Sequence, residues 1–574
     1  MKKITVVILS FVLAACGSGP TLDAQIPAVP QTPTTSPNTP PAEHYQPPAH
    51  LIGIRQFEGS AQFYNKETNQ PFLPRGVNYF ILKPKNQIYL NLTLGEGHYD
   101  HNQVEEDFRT LASSGFNTVR IFLDSCGQLP ECIGKTGGKG LNPAYMDNIV
   151  DIMATAKKEG LFILFTSNDL PDGGRYWDIS AQGESSQFAG YRNAHYLTPP
   201  GVESARVYWG DLLSEFAKRN APFEIILGWS LLNEQWYFND QPPFSLNSGT
   251  VAAANGQSYD MADPAQKMAL AADSMLYYVQ EVKSVILDHD PDALVTMGFF
   301  EPDFPNPSRI GDFRLVVTAP LLADAALDFF DFHAYPGGDL TIEQYAQNYG
   351  MENYQAKPII MGEAGAFIDR YPNEEAAARA AQKWVADSCQ FGFDGWLYWG
   401  YYRAPLAIGD ATWGFADGEH LLISALSPNS QPDPCSPTPL PGGNLALGKS
   451  VRVSRFLAGE PPENVIDGGP KQWGAGDFPS QWIEIDLGGP ATIKEIRLWV
   501  AQYPAGITVH QIWVRGPSGE SQMVHQFEGT TQEGDVLSFI PDMPLSGIQF
   551  VRIRTTQSPS WVAWQEIEIF GDLE

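Results

Sequence analysis

The sequence predicts an α/β protein in which a (β/α)8 barrel is followed by a β-sandwich. Three observations carry this reading. Between residues 51 and 425, eight short apolar runs rich in β-branched and aromatic residues alternate with stretches of helical periodicity. After a Pro-rich break at 426–443, helical periodicity disappears and runs of two-residue alternation replace it. At 574 residues the chain is also too long for one ordinary domain.

The N-terminus comes first. Lys2 and Lys3 precede an apolar run at 4–15, too short to span a bilayer as a mature helix but suited to a signal peptide. It ends Leu13-Ala14-Ala15-Cys16-Gly17, which resembles a bacterial lipobox. That resemblance implies cleavage of a signal at 1–16, lipidation of Cys16, and an exported lipoprotein anchored to the membrane at the cell surface or facing the periplasm. Residues 17–50, rich in Pro, Thr, Ser and Ala, cannot build a core and read as a tether. Export permits disulfides. Cys126, Cys132, Cys389 and Cys435 remain, and pairing them in that order uses every thiol, although spacing alone does not fix connectivity.

In the first folded body, 51–425, the strands are expected at 72–78, 118–123, 161–166, 225–232, 293–299, 329–334, 358–362 and 395–399. A helix at 102–114 is stopped by Gly115. Asn142 and Pro143 supply an N-cap and a first-turn proline for a second helix, with Met146, Ile149, Val150 and Met153 at helical spacing and Gly160 at its end. Asp263-Pro264 opens another, with Met268, Met275, Val279, Val282 and Ile286 on one stripe. A doubly wound sheet is the competing topology. It wants a Gly-rich turn after the first strand, and Pro74-Arg75-Gly76-Val77-Asn78 is not one. In the second body, 444–574, alternation at 482–487, 493–499, 511–515 and 551–554, with Gly/Pro turns between, predicts the sandwich.

A formal charge of −30 argues against nucleic acid and anionic lipid surfaces as partners. Gly134-Lys135-Thr136 lacks the leading glycine of a phosphate loop, since position 129 is Leu, and neither His-Glu-x-x-His nor Gly-x-Ser-x-Gly occurs. In a barrel, chemistry sits at the C-terminal ends of the strands. Those ends carry Asn78, Arg120 with Phe122, Asn168 with Asp169, Asn233 with Glu234, His333 with Tyr335, Glu363, and Trp399. Two glutamates closing apolar strands are costly to desolvate, and as a pair they suit cleavage of a glycosidic bond.

Arg75-Gly76-Val77-Asn78, Asn117-Thr118-Val119-Arg120, Leu232-Asn233-Glu234, His333-Ala334-Tyr335, Gly362-Glu363 and Trp399 resemble, in order, glycoside hydrolase clan A, closest to the family 5 type of cellulases and β-mannanases. The resemblance covers most of 51–415. It implies that Glu234 is the general acid/base and Glu363 the nucleophile of a retaining hydrolysis, with Arg120, Asn233, His333, Tyr335 and Trp399 binding substrate. It calls for no catalytic cofactor. A retaining enzyme needs one carboxyl protonated and one ionised. Arg120 and Tyr335 are candidates to keep Glu363 charged, and that charge would raise the pKa of Glu234. Asn233 would bond the sugar 2-hydroxyl, and Trp399 would floor the cleavage point, because Trp396 projects from the opposite face of its strand. The chain departs from the family at strand three, where Thr166-Ser167-Asn168-Asp169 lacks the common histidine. The substrate therefore stays open, with mannan or β-glucan foremost among polysaccharides and oligosaccharides. A transglycosylase, or an adhesion lipoprotein with a silent barrel, is the alternative.

Asn444-Leu445-Ala446-Leu447-Gly448-Lys449, Val465-Ile466-Asp467-Gly468, Gln481-Trp482-Ile483-Glu484-Ile485-Asp486-Leu487-Gly488 and Glu566-Ile567-Glu568-Ile569-Phe570-Gly571 resemble the coagulation-factor 5/8 type C, or discoidin-like, domain. This implies a jelly-roll carbohydrate-binding module. It also implies a structural calcium, with Asp467 and Glu566 at oxygen-ligand positions. Trp473, Phe478 and Trp561 are candidate sugar contacts.

Overall fold

The computed structural model describes residues 49–574 apart from 58, 86–87, 124–128, 135–139, 172, 301–313, 325, 339, 372, 438–442 and 470. The signal segment with Cys16, the tether up to residue 48, and Cys126 with its pairing to Cys132 lie outside the described residues. No helix among those described is long and apolar enough to cross a membrane.

Eight parallel strands form the first body: β1 (Arg75–Asn78), β2 (Thr118–Phe122), β3 (Phe162–Thr166), β4 (Ile226–Ser230), β5 (Val295–Thr296, resumed at Gly298–Phe299), β6 (Phe330–His333), β7 (Ile359–Ala364) and β8 (Trp396–Trp399). Each strand pairs with its neighbour in sequence, and β8 pairs with β1. The two halves of β5 complete the ring, the first pairing β4 and the second pairing β6. The barrel is closed, so the open doubly wound sheet is excluded.

The helices follow the caps written in the sequence. Helix α1 (His101–Ser113) is capped by Asp100, whose side chain accepts from the Asn102 and Gln103 N–H groups. Helix α2 (Pro143–Glu159) is capped by Asn142 and ends on Gly160, which adopts the left-handed conformation (φ 76°) that closes a helix with least strain on glycine. Between β3 and β4 the connection is long and carries α3 (Gly174–Ser180), α4 (Tyr191–Leu197) and α5 (Pro199–Lys218).

The two ends of the barrel differ. At the N-terminal end a hairpin of Ile52–Phe57 and Ser60–Asn65 packs Ile52 and Phe63 against Leu164, Leu227, Phe329, Ile360 and Leu397. This apolar plug leaves the chemistry to the other end. Arg75 donates to the carbonyls of Leu426 (2.5 Å) and Gln431 (2.6 Å), and Cys389 forms a disulfide with Cys435. The first part of the Pro-rich break is thereby folded onto the barrel.

The second body is antiparallel: β9 (Ser450–Val453), β10 (Trp473–Gly474), β11 (Gln481–Val500), β12 (Gly506–Arg515), β13 (Gln522–Thr531), β14 (Val536–Phe539), β15 (Leu545–Gln557) and β16 (Ala563–Leu573). The runs expected as separate strands at 482–487 and 493–499 are two halves of β11. The first half pairs β15, and after a register shift between Asp486 and Ala491 the second pairs β16. One bent strand thus serves both layers, and its alternating inward residues Ile483, Ile485, Ile496 and Leu498 fill the core with Trp473 and Trp564. Trp473 is fully buried, with its indole N–H donated to the Arg455 carbonyl. It is a core residue, which corrects its expected place among the sugar contacts.

Candidate active site

The polar end of the barrel is organised around Arg120, which β2 directs into the barrel and which has no exposed surface. A guanidinium buried in this way is tolerable only if its donors are matched. Nη1 donates to Asn78 Oδ1 (2.9 Å) and Glu363 Oε1 (2.7 Å), and Nη2 to Asn233 Oδ1 (2.9 Å). Nε lies 3.4 Å from the Asp331 carboxylate. Arg120 on β2 thus ties together β1, β6, β7 and the segment after β4. Asp331 fits beside β7 because residue 362 is glycine, since a Cβ there would lie 1.6 Å from the carboxylate. Burial alone would raise the Asp331 pKa, but Arg120 and His333 outweigh it and hold this carboxyl below its usual range.

Glu363 on β7 is buried and shares its oxygens between Arg120 and the Tyr335 hydroxyl, which donates to Oε2 at 2.8 Å. His333, at the end of β6 and fully buried, lies between the two glutamates. Its Nδ1 is 2.9 Å from Glu234 Oε1 and 3.3 Å from Glu363 Oε2. One atom each from Glu234, His333 and Glu363 lie within 4.8 Å of one another. Burial would depress the His333 pKa, but Glu363, Asp331 and Glu234 outweigh it and push it up to about 10, which favours the charged ring. The Glu363 carboxyl is held above its usual range, because burial, with help from the Glu234 charge, outweighs the opposing pull of His333, Arg120 and Tyr335.

Glu234 projects from the segment after β4, which is only partly buried. That segment is pinned to β5 by hydrogen bonds from Gln235 N–H to the Gly298 carbonyl and from Gly298 N–H to the Leu232 carbonyl, both 2.9 Å. A side chain at 298 would meet the Asn233 carbonyl at 1.9 Å. Trp399, half-buried at the end of β8, packs on Phe80 (centroids 4.4 Å) and Phe122 (5.7 Å). Trp396 points outward and donates its indole N–H to Ser388.

The seven barrel residues assigned catalytic or substrate-binding roles in the sequence thus converge on one rim. Arg120 and His333 are fully buried in the apo site, where Arg120 bonds Glu363 and the His333 ring lies against Glu234 and Glu363. Asp331 was not foreseen. Its signal is the alternation Phe330-Asp331-Phe332-His333, which sends two polar residues to one face of a buried strand.

In the sandwich, Asp467 and Glu566 approach each other where the module meets helix Glu374–Ser388 of the barrel. Both oxygens of Glu566 are buried without a hydrogen bond, and Gly468 and Glu568 line the same cavity, as do Arg370 and Arg379 of the barrel. Burial, then the Asp467 charge, pushes the Glu566 carboxyl well up, and burial raises Asp467 to about 6. Buried carboxylate oxygens without partners fit a hard cation such as calcium. At another edge, Phe478, Trp561 and Tyr503 are each at least half exposed around a groove that also contains Gln472, Gln502, Glu460 and Glu533. Tyr503 was not foreseen, because no spacing marks an aromatic on a variable loop.

No family model matches the chain, and no curated protein does. Among solved structures, it is similar to the endo-1,4-β-mannanase of Rhizomucor miehei (17% identity over 66% of this chain and 98% of that one, TM-score 0.46). It is also similar to an exo-β-1,4-mannosidase of Opitutaceae bacterium strain TAV5 (16%, 67% and 64%, TM-score 0.44). A third likeness is to the family 32 carbohydrate-binding module of C. perfringens NanJ in complex with galactose (19%, 22% and 98%, TM-score 0.20). The closed ring of strand pairs establishes the barrel independently of these likenesses.

Proposed function

We propose that the barrel is a retaining β-glycosidase of the clan A, family 5 type, acting on a polysaccharide or oligosaccharide, with mannan or β-glucan first among substrates. The observation that carries this is the approach of Glu234 and Glu363 to within 4.8 Å. A retaining pair stands about 5–5.5 Å apart, whereas an inverting pair leaves about 6.5–9.5 Å for water. Glu363, clamped by Arg120 and Tyr335, attacks the anomeric carbon. Glu234 protonates the leaving oxygen and later takes a proton from the incoming water. Arg120 engages the Asn233 carbonyl oxygen of the side-chain amide, which leaves the amide NH2 to bond a sugar hydroxyl. Trp399 supplies an apolar floor. Release of reducing sugar from mannan, β-glucan and xylan tests the reading. We expect release from at least one of them, and none from any would favour a carbohydrate-binding protein with a silent barrel.

The sandwich, in this reading, holds the glycan near the cleft, and Cys16 lipidation holds both at the membrane. The aromatic rim of Phe478, Tyr503 and Trp561 presents flat apolar faces of the kind that stack on sugar rings. Trp561→Ala is expected to weaken retention on insoluble polysaccharide about tenfold in a pull-down assay while leaving turnover of a short soluble substrate within twofold. Loss of both together would count against a separate binding site.

Asp467 and Glu566 would hold a structural calcium, whose charge would replace the protons that burial favours. The sign follows from the raised pKa values. Asp467 titrates near 3.9 when unfolded and at about 6 when folded, so its stabilising contribution is complete below about pH 4 and is lost as pH rises through 6. Glu566 shifts in the same direction. In calorimetry, calcium is expected to raise the Tm by several degrees at pH 7.5 and by less at pH 5. Equal melting with calcium and with chelator at pH 7.5 would remove the metal from this reading.

A further inference from the structure

The long β3–β4 connection supplies Arg192, which forms a buried ion pair with the strand-end residue Asp169, apart from the cluster around Arg120. Arg192, in the first turn of α4, is 5% exposed, and its guanidinium has three partners. Nη2 pairs with Asp169 Oδ2 at 2.7 Å, Nε donates to the Tyr191 hydroxyl at 3.1 Å, and Nη1 donates to the backbone carbonyl of Glu234 at 2.9 Å. The same guanidinium lies over the Trp236 ring, 4.2 Å from its centroid. Asp169 is fixed in turn by the Tyr196 hydroxyl (2.6 Å) and more loosely by that of Tyr191 (3.3 Å). Asp169 stands just past the end of β3, in the stretch where the chain lacks the expected histidine.

We propose that Arg192, oriented by Asp169, is a positioning residue for the general acid/base Glu234. The segment carrying Glu234 leaves β4 at Ser230 and is held to β5 by backbone bonds at Leu231, Leu232 and Gln235, and to Arg120 of β2 through Asn233. Those bonds leave the Glu234 carbonyl without a strand partner. Arg192 provides one, and it grips the following residue pair through Trp236. A carboxylic acid is effective only where its oxygen meets the leaving group within hydrogen-bond reach, so a small rotation of this segment costs acid catalysis first. Glu363 is anchored independently by Arg120 and Tyr335, so nucleophilic attack does not depend on Arg192.

This inference rests on the glycosidase reading, and the two can fail separately. The experiment compares wild type, Arg192→Met, Arg192→Lys and Asp169→Asn on aryl β-glycosides of the preferred sugar, one with a good leaving group (2,4-dinitrophenyl) and one with a poor one (phenyl). For Arg192→Met, kcat/KM is expected to fall about 100-fold on the phenyl glycoside and less than about threefold on the dinitrophenyl glycoside, which needs no proton. On the dinitrophenyl substrate kcat and KM should fall together, because water activation by Glu234 becomes slow, and added azide should restore kcat. Arg192→Lys should recover part of the loss. Equal losses on both substrates, or no loss on either, would overturn the positioning role. Should Arg192→Met not fold, Asp169→Asn carries the same test with nearly unchanged volume. A wild type inactive on aryl glycosides of the mono- and oligosaccharide and releasing no sugar from mannan, β-glucan or xylan would overturn the glycosidase reading and this inference with it.

Discussion

Glu363→Ala is expected to lower kcat/KM on the preferred glycan by at least about 10⁴-fold, a loss of roughly 5 kcal/mol of transition-state stabilisation. In the proposed double displacement the substitution removes the group that bonds to the sugar, which no geometry of the remaining residues can replace. Fold should survive. Arg120 keeps Asn78, Asn233 and Asp331 as partners, and Tyr335 still stacks on Phe367 at 5.2 Å. Kinetics with azide checks the assignment, since azide should occupy the vacated space and give a glycosyl azide of inverted configuration. Activity within tenfold of wild type would move the nucleophile elsewhere.

Arg120→Met should have the largest effect on stability. The variant leaves Asp331 and Glu363 buried with only His333 of their two shared cationic partners, and breaking a buried pair by removing one partner costs about 3–5 kcal/mol. Both carboxyls would then titrate upward, because Arg120 is among the groups that favour their charged forms. The deficit in urea unfolding should therefore shrink between pH 7 and pH 5 as protonation relieves the buried charge. Unchanged stability would mean that the tie around Arg120 carries little energy.

Much of this site was legible because barrel geometry forces polar residues into one place. A strand that is apolar until its last residues, as at Ile359-Ile360-Met361-Gly362-Glu363, has little structural use for that glutamate, so Glu363 stands out without any structure. Glu234, Asn233, Arg120, Tyr335 and Trp399 stood out in the same way. Asp331 did not, because it lies inside a strand and is recognisable only by sharing a face with His333. The role of His333 was also hidden, since sequence cannot say that a ring nitrogen stands between two carboxylates. Arg192 carried no signal at all. It sits on a seven-residue helix in an irregular connection, and only the fold brings it to Glu234. In the sandwich, alternation revealed the strands but not that 481–500 is one bent strand, because the bend occurs at Gly488-Gly489-Pro490, which reads as a turn between two strands.

In the proposed mechanism Glu234 and Glu363 work as a retaining pair. Proton NMR of the first sugar released from an aryl β-glycoside tests it directly, before mutarotation mixes the anomers. The close carboxylates predict that the β-anomer appears first and the α-anomer only later. Initial release of the α-anomer would contradict the double displacement and with it the roles assigned to both residues.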